Sequence, residues 1–248
     1  MKQGIIGLGV MVMTALAAAQ AGLAAEQKAF THTFSLGATI TDGNSESRQG
    51  NATWLTEGAK EGLGAIRLGA EGNYGESRPA NGGSLDKTIE NAKAFVNVKK
   101  TLSPMTYAAG DVSYLYDNIA LIDYRITVGP GLGAFLVKND ATQVSVEAGP
   151  GYVFERVDGQ DDSYLALRVV ERAEYKLSAT ARVWESVEYM PNTERFSNYL
   201  VTSELGAEAA LNATLNLRLV LQDKYDSQPA DDKEKNDLTI IAGVSVKL

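Results

Sequence analysis

Phe30 to Thr41 reads FTHTFSLGATIT, and its period is two. Phe30, Phe34, Leu36, Ala38 and Ile40 fall on one parity, whereas Thr31, Thr33, Ser35, Gly37, Thr39 and Thr41 fall on the other. Alternation of this kind gives a strand with one apolar and one small, polar face. The end of the chain, LTIIAGVSVKL from Leu238 to Leu248, repeats it. Ten further runs lie between, at 47–57, 63–75, 88–100, 106–117, 122–137, 142–155, 163–177, 180–190, 198–211 and 214–225. The sequence therefore predicts an all-β chain of about twelve strands. Each is roughly 10 to 15 residues, longer than the 5 or 6 of an ordinary sheet and long enough to cross a bilayer at a tilt.

The connections alternate in character. Those at 57–63, 101–105, 138–141, 177–180 and 212–214 are expected to be tight, and those at 42–46, 76–87, 117–121, 156–162, 190–197 and 226–237 mostly longer, with the charge of solvated loops. Short turns on one side and long loops on the other are the layout of an antiparallel transmembrane barrel. Tyr74, Tyr114, Tyr116, Tyr124, Tyr152, Tyr164, Tyr189, Tyr199 and Tyr225 fall near the long loops, and Trp54, Tyr107 and Tyr175 near the tight turns, as two interfacial girdles would. A soluble barrel would turn the apolar parity inward, but about twelve strands enclose more room than these Ala, Val and Leu side chains can close-pack.

The 248 residues carry a net charge of −8 and no cysteine, with a mean hydropathy of −0.15. The acidic balance argues against nucleic acid as a partner, and the lack of cysteine rules out disulfides and thiolate metal sites. Lys2, the apolar run GIIGLGVMVMTALAAA and the small residues of QAGLAA have the order of a secretory signal peptide. Cleavage near Ala24 or Ala25 divides the chain into a leader, 1–25, and a barrel, 26–248. The destination of an exported barrel is the outer membrane of a Gram-negative bacterium. Membrane lipid, lipopolysaccharide and the barrel-assembly machinery are then the expected partners, with small solutes or ions passing through the lumen.

On the same parity, the charges facing the lumen include Arg125, Glu147, Arg168, Arg172, Arg182, Glu188, Glu204 and Arg218, together with Arg67, Glu71, Lys93, Lys99, Asp111, Asp123, Glu155, Glu174, Glu208, Lys224 and Lys247. Their signs nearly balance, and such a lumen can hold water or tie itself shut with ion pairs. Two Gly-Pro-Gly triplets, Gly129-Pro130-Gly131 and Gly149-Pro150-Gly151, interrupt neighbouring strands. A tight turn at 138–141 pairs residues whose numbers sum to about 280, setting Pro130 across from Pro150. Both prolines then face lipid, and the four glycines leave bare backbone on the inner wall, a notch for a bulky inward side chain.

Glu171 and Glu185 fall on the lipid-facing parity of neighbouring strands, where acids are costly. A bulge or one-residue slip that turns them inward is expected; otherwise they are a protonatable pair or a subunit contact. No nucleotide loop, cofactor motif, catalytic constellation or metal-ligand spacing occurs. The single histidine, His32, reads as an interface residue; a serine hydrolase would need a serine within its reach. The acidic stretches DGQDD (158–162) and PADDKEKND (229–237) could hold divalent ions or bridge them to lipopolysaccharide, as in a surface binding module, although neither is an EF-hand loop.

The phrases TDGNSES, DNIALIDYR, GPGLGAFLVKND, EAGPGYVFE, YLALRVVERAEYKLS, ARVWESVEYMP, NYLVTSELGAEAALN and LRLVLQDKYDSQPA together resemble the salt-induced outer membrane proteins, a family of unknown function in Gram-negative bacteria. The resemblance spans essentially the whole chain after the leader. It implies an outer-membrane barrel linked to osmotic or ionic stress, and it assigns no catalytic or binding residue. The final Leu248 departs from the phenylalanine that ends many such barrels.

Overall fold

A computed structural model describes residues 30–41, 46–60, 63–78 and 83–247. The expected leader and Leu248 lie outside the described residues. Twelve strands follow in order: β1 (Thr31–Thr41), β2 (Glu46–Lys60), β3 (Gly64–Arg78), β4 (Asp86–Thr101), β5 (Thr106–Asp117), β6 (Ile122–Lys138), β7 (Thr142–Val157), β8 (Gln160–Lys176), β9 (Ala181–Pro191), β10 (Tyr199–Ala210), β11 (Leu215–Asp226) and β12 (Asn236–Lys247). Each pairs antiparallel with its neighbours in sequence, and β12 pairs with β1 to close the barrel. The closing ladder is short, Thr33 to Leu36 with Val244 to Lys247, but it joins the two end strands, so the sheet closes on itself as a membrane-spanning sheet must.

The outer wall is apolar. Leu36, Leu132, Leu165, Leu167, Leu219 and Ile240 are exposed there, whereas Glu147 and Arg168 are buried within. A barrel with leucines outside and charges inside is stable only where its outer surface meets lipid, so the chain forms a transmembrane barrel. The interior is not uniformly polar. Val153, Tyr164, Ala166 and Met190 form a buried cluster with Leu200 packed on it.

The end of the barrel where β1 starts and β12 stops, the near end, has tight turns. Four of them are organised by one side-chain oxygen at the start of the turn. Ser103 accepts from the amides of Met105 and Thr106, Asn139 from Ala141 and Thr142, Ser178 from Thr180, and Asn212 from Thr214 and Leu215. Short polar side chains mimic a backbone turn in this way, which is why these residues sit at the reversals.

The structure corrects the sequence reading at four places. The connection expected to be a loop over 156–162 is a two-residue hairpin. Asp158 and Gly159 have φ of 50° and 72°, the type I′ turn that a Asp-Gly pair favours, and the strands run up to it on both sides. Asp123 does not face the lumen. The register shifts between Ile122 and Tyr124, and Asp123, the extra residue, lies exposed with its carboxylate 3.4 Å from Arg156. Tyr107 and Tyr164, expected in the girdles, point inward and are only 2% and 7% exposed. Glu171 and Glu185 are not turned inward, because the β8–β9 ladder runs without a shift from Val169↔Tyr189 to Lys176↔Arg182. Glu171 opposes Val187 and Glu185 opposes Ala173, so the two acids are diagonal neighbours on the outer face.

Candidate functional site: the charged lumen and its mouth

Both Gly-Pro-Gly triplets lie within strands, β6 and β7. The flanking pairs Val128↔Tyr152 and Leu132↔Ala148 bring Pro130 opposite Pro150. A Cβ on Gly149 would sit 2.1 Å from the Pro130 carbonyl oxygen and 2.7 Å from the Gly131 Cα, so the two backbones approach as closely as glycine permits. The other glycines leave space for side chains. Gly129 faces the Arg168 stem, Gly131 faces Glu147, and Gly151 faces Met190 and Arg168.

Arg168 therefore crosses bare backbone into the middle of the lumen, where it is 2% exposed. Its guanidinium reaches Glu147 at 2.5 Å, Glu188 at 2.7 Å and Asp111 at 3.6 Å. These acids stand on β7, β9 and β5. Glu147 also receives Lys99 of β4 at 3.6 Å, and Asp111 receives the Asn97 amide at 3.1 Å. Taking such charges out of water is costly, and only a guanidinium with several acceptors recovers the cost.

A second bridge lies nearer the far end. Arg125 donates to Glu155 on the adjacent strand and, at 2.7 Å, to Asp226 on β11. β6 and β11 are not neighbours in the wall, so this contact spans the lumen. A third group occupies the near half. The Trp184 indole donates to Glu204 at 2.6 Å, Arg182 and Arg218 stand 5.3 and 5.0 Å from its ring centroid, and Arg182 meets Glu174 and Glu208. Gln222 links Glu204 to Glu71, again across non-adjacent strands. Arg172 faces the same half and makes no ion pair among the described residues; its buried Nε lacks a partner.

Trp184 carries no role in the sequence reading, yet its parity matches that of Arg182 and Glu188. It lies flat on Gly206, its cross-strand partner, where a Cβ would be 2.0 Å from the ring. Tyr107 lies on Gly133 and Phe95 on Gly69 in the same way. An inward ring opposite a glycine recurs as a device that covers bare backbone and narrows the bore.

Above the Arg125 bridge a cavity of about 320 Å³ opens at the far end. Its floor includes Arg125, Glu188 and Met190, and its sides carry Lys93, Asp117, Lys224 and Asp237. Asp117, read from sequence at the boundary of a strand and a loop, is the last residue of β5, and Asp237, read as loop, is the second residue of β12; their strand neighbours show the inward parity. His32 is exposed on the outer face and bonds Thr56 Oγ1 at 2.8 Å. Asp161 accepts from Tyr124 and lies near Arg156, and no group of three or more acids or histidines converges among the described residues.

In fold the chain is similar to a NanC porin structure, at 7% identity and a TM-score of 0.50 over 88% of this chain and 96% of that one. The KdgM porin matches at 9% identity, TM-score 0.46, 88% and 98%. The translocator domain of the autotransporter NalP from Neisseria meningitidis matches at 13%, 0.42, 88% and 86%. At such identities the likeness is one of fold. No curated protein matches the sequence. Residues 34–248 match the family model described as "Protein of unknown function, DUF481", and the chain belongs to that family.

Proposed function

We propose that the protein is a narrow passive channel for small solutes and ions in the outer membrane of a Gram-negative bacterium. The observation that carries this is the lumen itself. A cavity of about 320 Å³ open at one end leads down onto charged bridges between non-adjacent strands, Arg125 to Asp226 and Arg168 to Asp111. A barrel that served only as a membrane-bound scaffold would have no need of buried charges that span its bore. Apolar filling of the same volume is often at least as stable. Residues 1–25 act as the export leader, the barrel-assembly machinery inserts the chain, and lipopolysaccharide surrounds the long-loop end. The resemblance to salt-induced outer membrane proteins supports service under ionic or osmotic stress.

The test is conductance of the refolded barrel, residues 26–248, in a planar bilayer. Small discrete steps are expected. Their size should rise no more steeply than bulk conductivity between about 0.1 and 1 M salt, because buried ion pairs are screened far less than exposed ones and the bridges stay closed. A barrel that is folded by heat-modifiable migration yet carries no current at any salt would refute the channel.

A further inference from the structure

The lining of the far-end cavity is unusual in what it leaves unpaired. Lys93 on β4 stands directly across from Glu71 on β3, and Lys224 on β11 directly across from Asp237 on β12. Opposite charges in register on one face of a sheet are the default partners of a barrel wall. Neither couple closes. Among the described residues, Lys93, Lys224, Asp117 and Asp237 all lie beyond 4.0 Å from any opposite charge, although Arg125, Glu155, Asp226, Arg168 and Glu188 just below are all paired. Among the described residues the Asp117 carboxylate accepts only the Ala120 amide, at 3.1 Å. Two cations and two carboxylates on the strands thus face a common space without neutralising one another, and Asp232, Lys233, Glu234 and Lys235 of the β11–β12 connection, two of each sign, line its outer part, also without an ion pair among the described residues. Ile122, Met190 and Leu200 supply apolar wall between them.

We infer that this vestibule binds small zwitterionic solutes, molecules that carry an ammonium and a carboxylate on one short carbon frame. The carboxylate is met by Lys93 and Lys224, the ammonium by Asp117 and Asp237, and the carbon frame rests on the apolar wall. A solute with one charge satisfies only half of the lining and leaves the other half unmatched in a partly desolvated cavity, which is costly. A neutral polyol matches neither half. At about 320 Å³ the cavity is at the small end of ligand sites and suits a molecule of amino-acid size. The inference deepens the channel proposal and rests on it for the vestibule's place on the solute path.

Binding is measured by titration calorimetry on the refolded barrel in detergent, with glycine, 4-aminobutyrate and 6-aminohexanoate, which step the charge separation. Butyrate and butylammonium are the single-charge controls. The best-spaced amino acid should bind about tenfold or more tightly than either control, the difference made by a second charge-assisted contact. Asp117→Asn should weaken the zwitterion and butylammonium but not butyrate, and Lys224→Gln the reverse; heat-modifiable migration verifies that both variants fold. Equal binding of zwitterion and controls, or no binding of any of the three amino acids, overturns the proposal. Conductance separates it from the channel reading. A barrel that conducts without binding refutes the vestibule alone, and one that binds without conducting refutes the channel alone.

Discussion

The wall of β6, β7 and β8 and the seam between β1 and β12 close the same barrel by opposite means. On the inner face of the first, glycines strip side chains away so that Arg168 can gather acids from three strands. The paired stretch of the seam carries no charge inside among its described side chains. Thr33 to Leu36 pair with Val244 to Lys247, and Ser35, Gly37, Gly243 and Ser245 line the lumen there. Phe34, Leu36 and Val244 are exposed on its outer side. The seam is held by its ladder and by lipid, the wall by a clamp in the bore. Substitutions should therefore act in opposite directions at the two places.

The largest effect is expected at the clamp. Arg168→Met removes the partner of Glu147 and Glu188 and leaves buried carboxylates uncompensated, a loss of roughly 3–5 kcal/mol. The measurement is the urea midpoint of the folded barrel, read by heat-modifiable migration. Adding Glu147→Gln should restore part of the loss, since it removes the acid closest to the clamp. A loss below about 1 kcal/mol for Arg168→Met would mean that water, not the arginine, satisfies these acids.

Next in size is the backbone contact beneath the clamp. Gly149→Val places a Cβ against the Pro130 carbonyl, an atom that cannot swing away, and should cost about 1–3 kcal/mol or prevent folding. Gly129→Ala is the contrast. Its Cβ meets the Arg168 stem at 3.2 Å, and a flexible side chain gives, so the cost should stay below about 1 kcal/mol. Equal costs at the two glycines would show that the wall tolerates no Cβ rather than that one carbonyl is in the way.

Much of this architecture was legible in the sequence. The period of two persists through the chain, and a one-residue error would exchange lipid and lumen, so parity placed Arg168, Glu147 and the glycines on one face. The turn at 138–141 supplied the register of the triplets. Tyr107, Tyr164 and Trp184 could have been placed too, because each shares parity with an inward charge. Two of them were misassigned because interfacial tyrosines and lumenal ones occupy the same strand ends. Asp123 was not legible, since a bulge adds a residue without altering the local pattern. The contact between Arg125 and Asp226 was not legible either, because it joins residues 101 apart across a space that no periodicity describes.

A smaller effect is expected where a ring replaces the arginine as the cover for a glycine. Gly206→Ala puts a methyl into the Trp184 ring and should cost about 1–2 kcal/mol as the indole shifts and its bond to Glu204 lengthens. The chain has two tryptophans, so a Trp54→Phe background isolates the fluorescence of Trp184. In that background Gly206→Ala should increase quenching by acrylamide and red-shift the emission. An unchanged spectrum would place the indole elsewhere.

The seam should respond least and in the other direction. The hydroxyls of Ser35 and Ser245 are buried and lack partners, a cost that alanine removes. Their surroundings differ. Ser35 borders a cavity of about 20 Å³ together with Asn51, Glu71 and Arg218, enough for one water among polar groups, whereas Ser245 is 0% exposed and does not line it. Ser245→Ala should thus raise the unfolding free energy by about 1 kcal/mol, and Ser35→Ala should leave it within about 0.5 kcal/mol, because a water that serves Ser35 is lost with its hydroxyl. The two changes lie side by side in register, so the double variant tests whether one hydroxyl serves the other. Additivity means independent hydroxyls, whereas a double variant that departs from the sum of the two single changes by more than about 0.5 kcal/mol means that one hydroxyl serves the other. If instead Ser245→Ala destabilises by more than about 1 kcal/mol, the seam is held from inside like the wall, and the contrast between the two regions fails.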